Sequence, residues 1–258
     1  MIDIKTAKEI ELMREGGKIL ADTLSELLEY IKPGVSELEL DNLAEKLIRE
    51  KGAEPAFKKV KGYHHTLCIS TNQVVVHGIP TDYKFKTGDI VGIDCGVFYK
   101  GFNTDMAETL RVSTQNSKIK TQNYNEVDEF LQTGDRALSE AIKQAKIGNR
   151  IGHISQTIQQ IVEGEGYSVV RSLIGHGVGR SLHEDPEVPG FLDQPISKTP
   201  LLKEGMTIAI EAIYNMGKSD VVYLGNDGWT IKTKDNSLSG LFERTVAIVK
   251  GGPIVLTK

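Results

Sequence analysis

The sequence contains helical patterns followed by β-rich patterns, and this order occurs twice. Capping-box patterns at Thr6 to Glu9 and at Ser36 to Glu39 open two amphipathic helices. Short β-rich runs divided by glycine, proline and aspartate begin near residue 66. Helical patterns return over 124–146 and 151–163. Further β-rich runs follow at 168–174, 206–213, 220–224, 228–233 and 243–249. This order predicts an α+β fold of two halves, with helices packed on one face of an antiparallel sheet.

Length and composition narrow the class of protein. The 258 residues fit one large domain or two small ones, and the polar stretch 113–123 is predicted to be a surface loop. A net charge of −4 argues against an electrostatic nucleic-acid binder. No apolar run is long enough to span a bilayer, and the charged start has no signal-peptide core. With only two cysteines, Cys68 and Cys95, a reducing cytoplasm is the expected location.

A glycine-rich stretch, IGHGVGRSLHEDPEVPG, carries His176 and His183 and allows three interpretations. It could be a phosphate loop, a metal site or a structural turn. The phosphate loop is disfavoured because neither G-x-G-x-x-G with a following helix nor G-x-x-x-x-G-K-[ST] occurs. G-x-S-x-G and H-E-x-x-H are also missing, which removes the main support for a serine hydrolase or a single-zinc protease.

Four acidic residues lie in β-like segments, and they favour the interpretation as a metal site. Asp94 and Asp105 are each expected at the end of a β-like run, whereas Glu211 and Glu243 interrupt apolar strand patterns. A buried carboxylate needs a compensating charge, and few cations are near in sequence. Any one of these acids could be an ordinary salt-bridged residue. Together with His176, they suit a pair of divalent cations about 3.5–4 Å apart.

Several motifs resemble those of the type I methionine aminopeptidases, in the pita-bread superfamily of metallopeptidases. They are, in order, VVVHGIP, IDCGVFYKGFNTD, GHGVGRSLHEDP, LKEGMTIAIEA and DGWTIKTKDNSLSGLFERT. The resemblance runs from about residue 5 to the C-terminus. It implies a single catalytic domain spanning 1–258, without an extra N-terminal domain. The implied fold is the pita-bread fold, an α+β arrangement in which two pseudo-symmetric halves place their helices on a curved antiparallel sheet. The resemblance also implies a methionyl aminopeptidase that removes N-terminal methionine before a small second residue, by attack of a metal-bridging water or hydroxide on the scissile carbonyl.

The resemblance assigns roles residue by residue. Two divalent ions (cobalt, manganese, iron or zinc) would be held by Asp94, Asp105, His176, Glu211 and Glu243, with Asp105 and Glu243 touching both. The implied catalytic residues are His77, His183 and Glu211. The implied binding residues for the substrate are Tyr63, Cys68, His77, Leu182, His183 and Trp229. One monovalent cation, Na⁺ or K⁺, would lie at Asn72, Val74 and Ser239.

Methionyl peptides and nascent chains are the implied partners, for a protein expected to be a monomer; contact with the ribosome is left open. Four positions depart from the family pattern, namely Val60, Leu182, Ala212 and Arg244. They put the pocket shape and the preference for the second residue in question. Two alternatives remain: an Xaa-Pro peptidase with the same metal centre, and a non-catalytic module that binds peptides.

Overall fold

A computed structural model describes residues 2–113 and 122–258 of the chain. The predicted loop at 113–123 lies mostly outside these residues. The helices are α1 (Ala7–Tyr30), α2 (Glu37–Glu50), α3 (Gln122–Ile142) and α4 (Ile151–Gly164). The strands of the first half are β1 (Glu54–Pro55), β2 (Leu67–Thr71), β3 (Val74–Val76), β4 (Ile90–Tyr99) and β5 (Phe102–Arg111). Those of the second half are β6 (Ser168–Val169), β7 (Gly175–Gly177), β8 (Glu184–Val188), β9 (Thr207–Asn215), β10 (Val221–Tyr223), β11 (Ile231–Thr233), β12 (Ser239–Val249) and β13 (Gly252–Val255).

Both predicted capping boxes are confirmed. The amide of Glu9 donates to the Thr6 hydroxyl at 3.3 Å, and the Glu9 carboxylate accepts from the Thr6 amide at 2.8 Å. Ser36 and Glu39 repeat the arrangement at 3.2 and 2.7 Å. Each box satisfies two amides that the first helical turn leaves without a partner, and it fixes the start of its helix.

The third helix differs from its predicted bounds at both ends. It begins at Gln122, so the last two positions of the predicted loop are helical. It ends at Ile142 instead of continuing to 146, because the chain tightens into turns in which the amide of Gln144 bonds the carbonyl of Ala141 at 2.9 Å. Gly148, with φ of 90°, then redirects the chain towards α4.

The strands form two antiparallel sheets. In the larger, ten-stranded sheet the main order is β1-β4-β5-β12-β9-β7-β8, while β2 pairs with β4, β13 with β12 and β6 with β9. The smaller sheet has the order β10-β11-β3. The predicted strand over 168–174 is wrong in extent: β6 pairs with the end of β9 and β7 with its beginning, in a different register. Between them the Val170 amide still donates to the carbonyl of Ile213 at 3.0 Å, but residues 170–174 form no strand.

The two faces of the larger sheet have different surroundings because alternate strand residues point to opposite sides. Helices α3 and α4 pack on the even-numbered residues of β9 and β12, such as Ile210 and Phe242. Helices α1 and α2 pack on Val91, Ile93 and other odd-numbered residues of β4. The predicted α+β arrangement, with helices on one sheet face, is confirmed. Asp94, Glu211 and Glu243 have the opposite parity and therefore face away from the helices.

The smaller sheet covers part of this opposite face. Val76 of β3 and Ile231 of β11 pack with Ile213 and Leu241 of the larger sheet. The two sheets thereby enclose a space lined by the acidic residues. Among the described residues, no helix is both long and apolar enough to cross a membrane.

Candidate metal centre

One row of residues crosses five neighbouring strands of the larger sheet and carries three of the predicted acids. From β2 through β4, β5 and β12 to β9, directly paired positions are Cys68, Asp94, Ala107, Glu243 and Glu211. Paired residues in a sheet share a face, so these side chains point to one side. Ala107, the small residue in the middle of the row, leaves space between Asp94 and Glu243.

Asp105 and His176 join the row from positions two residues away. Asp105 precedes Ala107 on β5, and the Thr245 hydroxyl bonds both its amide and its carbonyl at 2.8 Å. His176 of β7 pairs with Ala209, two residues before Glu211. Each of Asp105, His176 and Glu243 offers a donor atom, and these atoms all lie within 4.8 Å of one another. His176 Nε2 lies 3.6 Å from Glu211 Oε1. All five predicted ligands therefore converge.

The expected positions of Asp94 and Asp105 at strand ends are wrong. Both lie inside long strands, and the turn that joins them is at Lys100 and Gly101, which have φ of 47° and 91°. Asp105 pairs with Gly96, so Asp94 is its diagonal neighbour on the same face. The hairpin, rather than the termination of its strands, brings these two carboxylates together.

The carboxylates repel one another in a poorly hydrated place. Burial, followed by the charge of Asp105, raises the pKa of Asp94 and of Glu211 well above the ordinary range. The pKa of Glu243 is raised by burial, then by Asp105 and Glu211, and burial raises the pKa of Asp105 to about 7. Within the described part of the chain, Asp94 Oδ1 and Glu243 Oε1 are buried without a hydrogen-bond partner. Such orphaned oxygens fit a site built for cations.

Arg244 forms its ion pair outside this group. Its guanidinium contacts Glu108 at 2.6 Å and donates to the carbonyls of Ala107 and Glu243, on the side of the sheet away from the Glu243 carboxylate. The ion pairs seen among residues 2–113 and 122–258 link none of the four carboxylates to a lysine or arginine. Four acids and one imidazole are donors that divalent ions accept, so the residues fit a metal centre.

The tautomer of His176 also suits a ligand. Its Nδ1–H donates to the carbonyl of Gly177 at 2.9 Å, which leaves the lone pair of Nε2 directed towards Glu211. Burial lowers the pKa of His176 to about 4, so its ring is neutral at pH 7. The His183 ring lies 4.4 Å from that of His176, and burial lowers its pKa as well. Burial and then His183 lower the pKa of His77.

A cavity of about 660 Å³ opens over the acids and continues into an apolar pocket. Every predicted substrate-binding residue lines it: Tyr63, Cys68, His77, Leu182, His183 and Trp229. The rings of Tyr63 and Trp229 meet edge to face with centroids 5.1 Å apart, and the Tyr63 hydroxyl donates to the carbonyl of Leu67 at 2.7 Å. Burial raises the pKa of the Cys68 thiol, so this residue acts as a small apolar group.

Further apolar side chains line the cavity, and the family resemblance assigns none of them a role. They are Phe57, Val60, Val76, Leu173, Ile174, Ile213 and Leu241. Val60 was notable only as a departure from the family pattern. The others are apolar residues in segments typical of a hydrophobic core. No local sequence signal distinguishes a residue of the pocket wall from a residue of the core.

Two of the three positions assigned to a monovalent cation are in contact. The amide of Ser239 donates to the carbonyl of Asn72 at 3.0 Å, which joins the β2–β3 turn to the start of β12. Asn72 has φ of 57°, and its side chain contacts Asp89 at 3.0 Å. Val74 begins β3 and pairs with Lys232.

Comparison with known proteins defines the class. Residues 11–248 match the model of metallopeptidase family M24, and the chain belongs to this family. Within it, the chain is similar to a methionine aminopeptidase of Clostridium perfringens, with 45% identity over 100% of this chain and 99% of the relative. The crystal structure of a methionine aminopeptidase from Thermotoga maritima superposes with a TM-score of 0.92 at 39% identity, covering 100% of both chains. The resemblance and the pita-bread fold expected from the sequence are confirmed.

The sister class matches less completely. A prolidase from Pyrococcus furiosus superposes with a TM-score of 0.77 at 26% identity, covering 99% of this chain but 65% of the prolidase. The two proteins share the fold over most of this chain. The full-length match is to the methionine aminopeptidases.

Proposed function

We propose that this protein is a metal-dependent aminopeptidase that removes methionine from the N-terminus of peptides and nascent chains when the second residue is small. The observation that carries the proposal is one cavity that joins a row of carboxylates to an apolar pocket. The carboxylates suit metal-assisted hydrolysis. The pocket suits an unbranched side chain that ends in a thioether.

Asp94, Asp105, His176, Glu211 and Glu243 would hold two divalent ions. The two orphaned oxygens and the neutral His176 support this assignment. When bound, the ions supply a Lewis acid for the scissile carbonyl and allow water to act as a nucleophile at neutral pH. Cobalt, manganese, iron and zinc all suit such donors.

Three residues handle protons and developing charge. Glu211 accepts the proton of the attacking water on its carboxylate and passes it to the leaving nitrogen. His183 donates a hydrogen bond to the scissile carbonyl oxygen, where negative charge develops. His77, which also lines the cavity, contacts the main chain of the substrate or the leaving nitrogen in the transition state.

The pocket residues select methionine. Tyr63 and Trp229 form two aromatic walls, while Cys68 and Leu182 complete the lining. Leu182 is smaller than the aromatic residue common at this position, so the pocket tolerates a wider range of unbranched side chains than methionine alone.

Asn72, Val74 and Ser239 hold one Na⁺ or K⁺. The contact between Asn72 and Ser239 supports a shared site there. The protein works as a monomer in the cytoplasm, where nascent chains present N-terminal methionine.

A peptide assay tests the function. Met-Ala-Ser and Ala-Pro-Ala are incubated with the protein, with and without a chelator. We expect methionine release from Met-Ala-Ser that stops when metal is removed and returns when Mn²⁺ is added. Cleavage of Ala-Pro-Ala alone would assign the chain to the proline-specific peptidases, and no cleavage of either peptide would indicate a binding module.

A further inference from the structure

A buried lysine lies beside the segment that carries Leu182 and His183. The side chain of Lys5 is only 1% exposed and forms an ion pair with Glu184. Its ammonium also lies 3.5 Å from the Asp3 carboxylate, and its amide donates to the carbonyl of Gly205 at 2.8 Å. A lysine is seldom buried unless it is paired, so this contact defines its position.

The partner of Lys5 also closes the turn that carries the two site residues. One oxygen of Glu184 faces Lys5, and the other accepts from the amide of Ser181 at 2.9 Å. Leu182 and His183 lie between these two residues and line the cavity. The carboxylate therefore joins both ends of a four-residue turn while Lys5 fixes the carboxylate.

Gly179 provides the space for Lys5. A Cβ atom at Gly179 would lie 2.3 Å from Cε and 2.6 Å from Nζ of Lys5, so the lysine side chain occupies the place of a side chain at 179. From the other side, the Asn103 amide group donates to the carbonyls of Gly179 and Arg180 at 3.0 and 3.1 Å. The turn is held between the N-terminal segment and β5.

We propose that Lys5 is a positioning residue for the segment 179–184, which contains the four-residue turn 181–184. Through Glu184 it holds Leu182 against the methionine pocket and His183 over the metal centre. The inference rests on the proposed function for the roles of Leu182 and His183. Without the ammonium, the Glu184 carboxylate turns towards solvent, releases the Ser181 amide and lets both site residues shift.

The experiment compares Lys5→Met with Lys8→Met in the full-length protein loaded with Mn²⁺. Lys5→Met keeps a long side chain but removes the charge, and Lys8 is an exposed residue of α1. We expect Lys5→Met to lower kcat and raise KM for Met-Ala-Ser, with kcat/KM falling about 10–100-fold, the scale of a small misplacement of reacting groups. The Mn²⁺ content stays unchanged. Hydrogen exchange at the Ser181 amide rises by about tenfold or more as its hydrogen bond is lost.

Two further variants separate positioning from stability. Lys5→Met combined with Glu184→Gln keeps an acceptor for the Ser181 amide without an unpaired charge, so we expect it to recover most of the exchange protection and part of kcat. Gly179→Ala displaces the lysine side chain without removing its charge, and we expect the same local rise in exchange.

The proposal fails if Lys5→Met matches Lys8→Met in kcat, KM and exchange, or if exchange rises equally throughout the protein. Loss of Mn²⁺ together with activity would also overturn it, since the effect would then lie at the metal ligands. If the wild-type protein does not cleave methionyl peptides, the proposed function fails, whereas the exchange comparison still decides the role of Lys5.

Discussion

The two ends of the cavity are built from different kinds of structure. The acids lie on long inner strands of the larger sheet, each paired with a strand on both sides. The register of the main chain therefore holds each carboxylate in place. The pocket walls come from short pieces: Tyr63 precedes β2, Leu182 lies in the β7–β8 turn, and Trp229 lies in the β10–β11 hairpin. The difference indicates that metal binding depends on the sheet, whereas substrate selection depends on local contacts that can vary without disturbing it.

The largest expected effect is at the sheet end. Asp105→Ala removes a carboxylate that is proposed to contact both ions, so metal binding and activity should be lost together. The measurement is metal content after equilibration with Mn²⁺, alongside methionine release. Glu108→Gln is the matched control, because Glu108 lies on the same strand but pairs with Arg244 on the other face. Full metal content in Asp105→Ala would contradict the assignment.

The next effect separates chemistry from metal binding. His183→Ala should keep both ions yet lower kcat by about 10²–10³-fold, the usual cost of removing one donor to a developing oxyanion. Steady-state kinetics and metal analysis on the same sample test this. His153, which caps α4 away from the cavity, offers the control His153→Asn. A variant with wild-type turnover would remove His183 from the mechanism.

A smaller effect is expected at the pocket end. Trp229→Ala removes one aromatic wall, and losing about 1–2 kcal/mol of apolar contact should raise KM for methionyl peptides by roughly tenfold. The metal content should not change. Tyr223→Ala tests the same hairpin at a residue that is 66% exposed, and it should leave KM as it is. Equal KM values for the two variants would mean that Trp229 does not contact the substrate.

The smallest effect is on stability. It arises from the carboxylate end of the cavity and is seen as a pH dependence of the Tm. In the metal-free protein the raised carboxyl pKa values mean that the folded state binds more protons than the unfolded state, so stability falls as pH rises through those values. The lowered pKa values of His77, His176 and His183 act in the opposite sense, but only below about pH 6.5. Between pH 6.5 and 8.5 we therefore expect the Tm of metal-free protein to fall, and saturating Mn²⁺ to abolish the fall. A flat metal-free Tm across this window would show that the carboxylates are not coupled to folding.

The same contrast explains what the sequence could predict. Glu211 and Glu243 stand out because each interrupts an apolar strand, and a buried acid requires a cation. The placement of Asp94 and Asp105 inside strands was missed because Gly92, Gly96 and Asn103 weaken the β pattern around them. At the pocket end, Leu182 and Trp229 were found only through family resemblance, since an apolar residue in a loop has no local mark of contact with substrate.

Contacts between residues that are far apart in sequence are the hardest to predict from it. Lys5 and Glu184 are separated by 179 positions, and nothing near either residue predicts their contact. The sequence also does not indicate that Gly179 leaves space for the lysine, because glycine is common in such turns. By contrast, the capping boxes at Thr6 and Ser36 involve residues three apart and were predicted correctly.

The most direct test counts divalent ions per chain. Native mass spectrometry of the wild-type protein at saturating Mn²⁺, compared with Glu243→Ala, measures whether the row of carboxylates is a metal centre. We expect two ions in the wild-type protein and fewer in the variant, with the second ion required for full methionine release. Two ions in both proteins, or none in either, would contradict it.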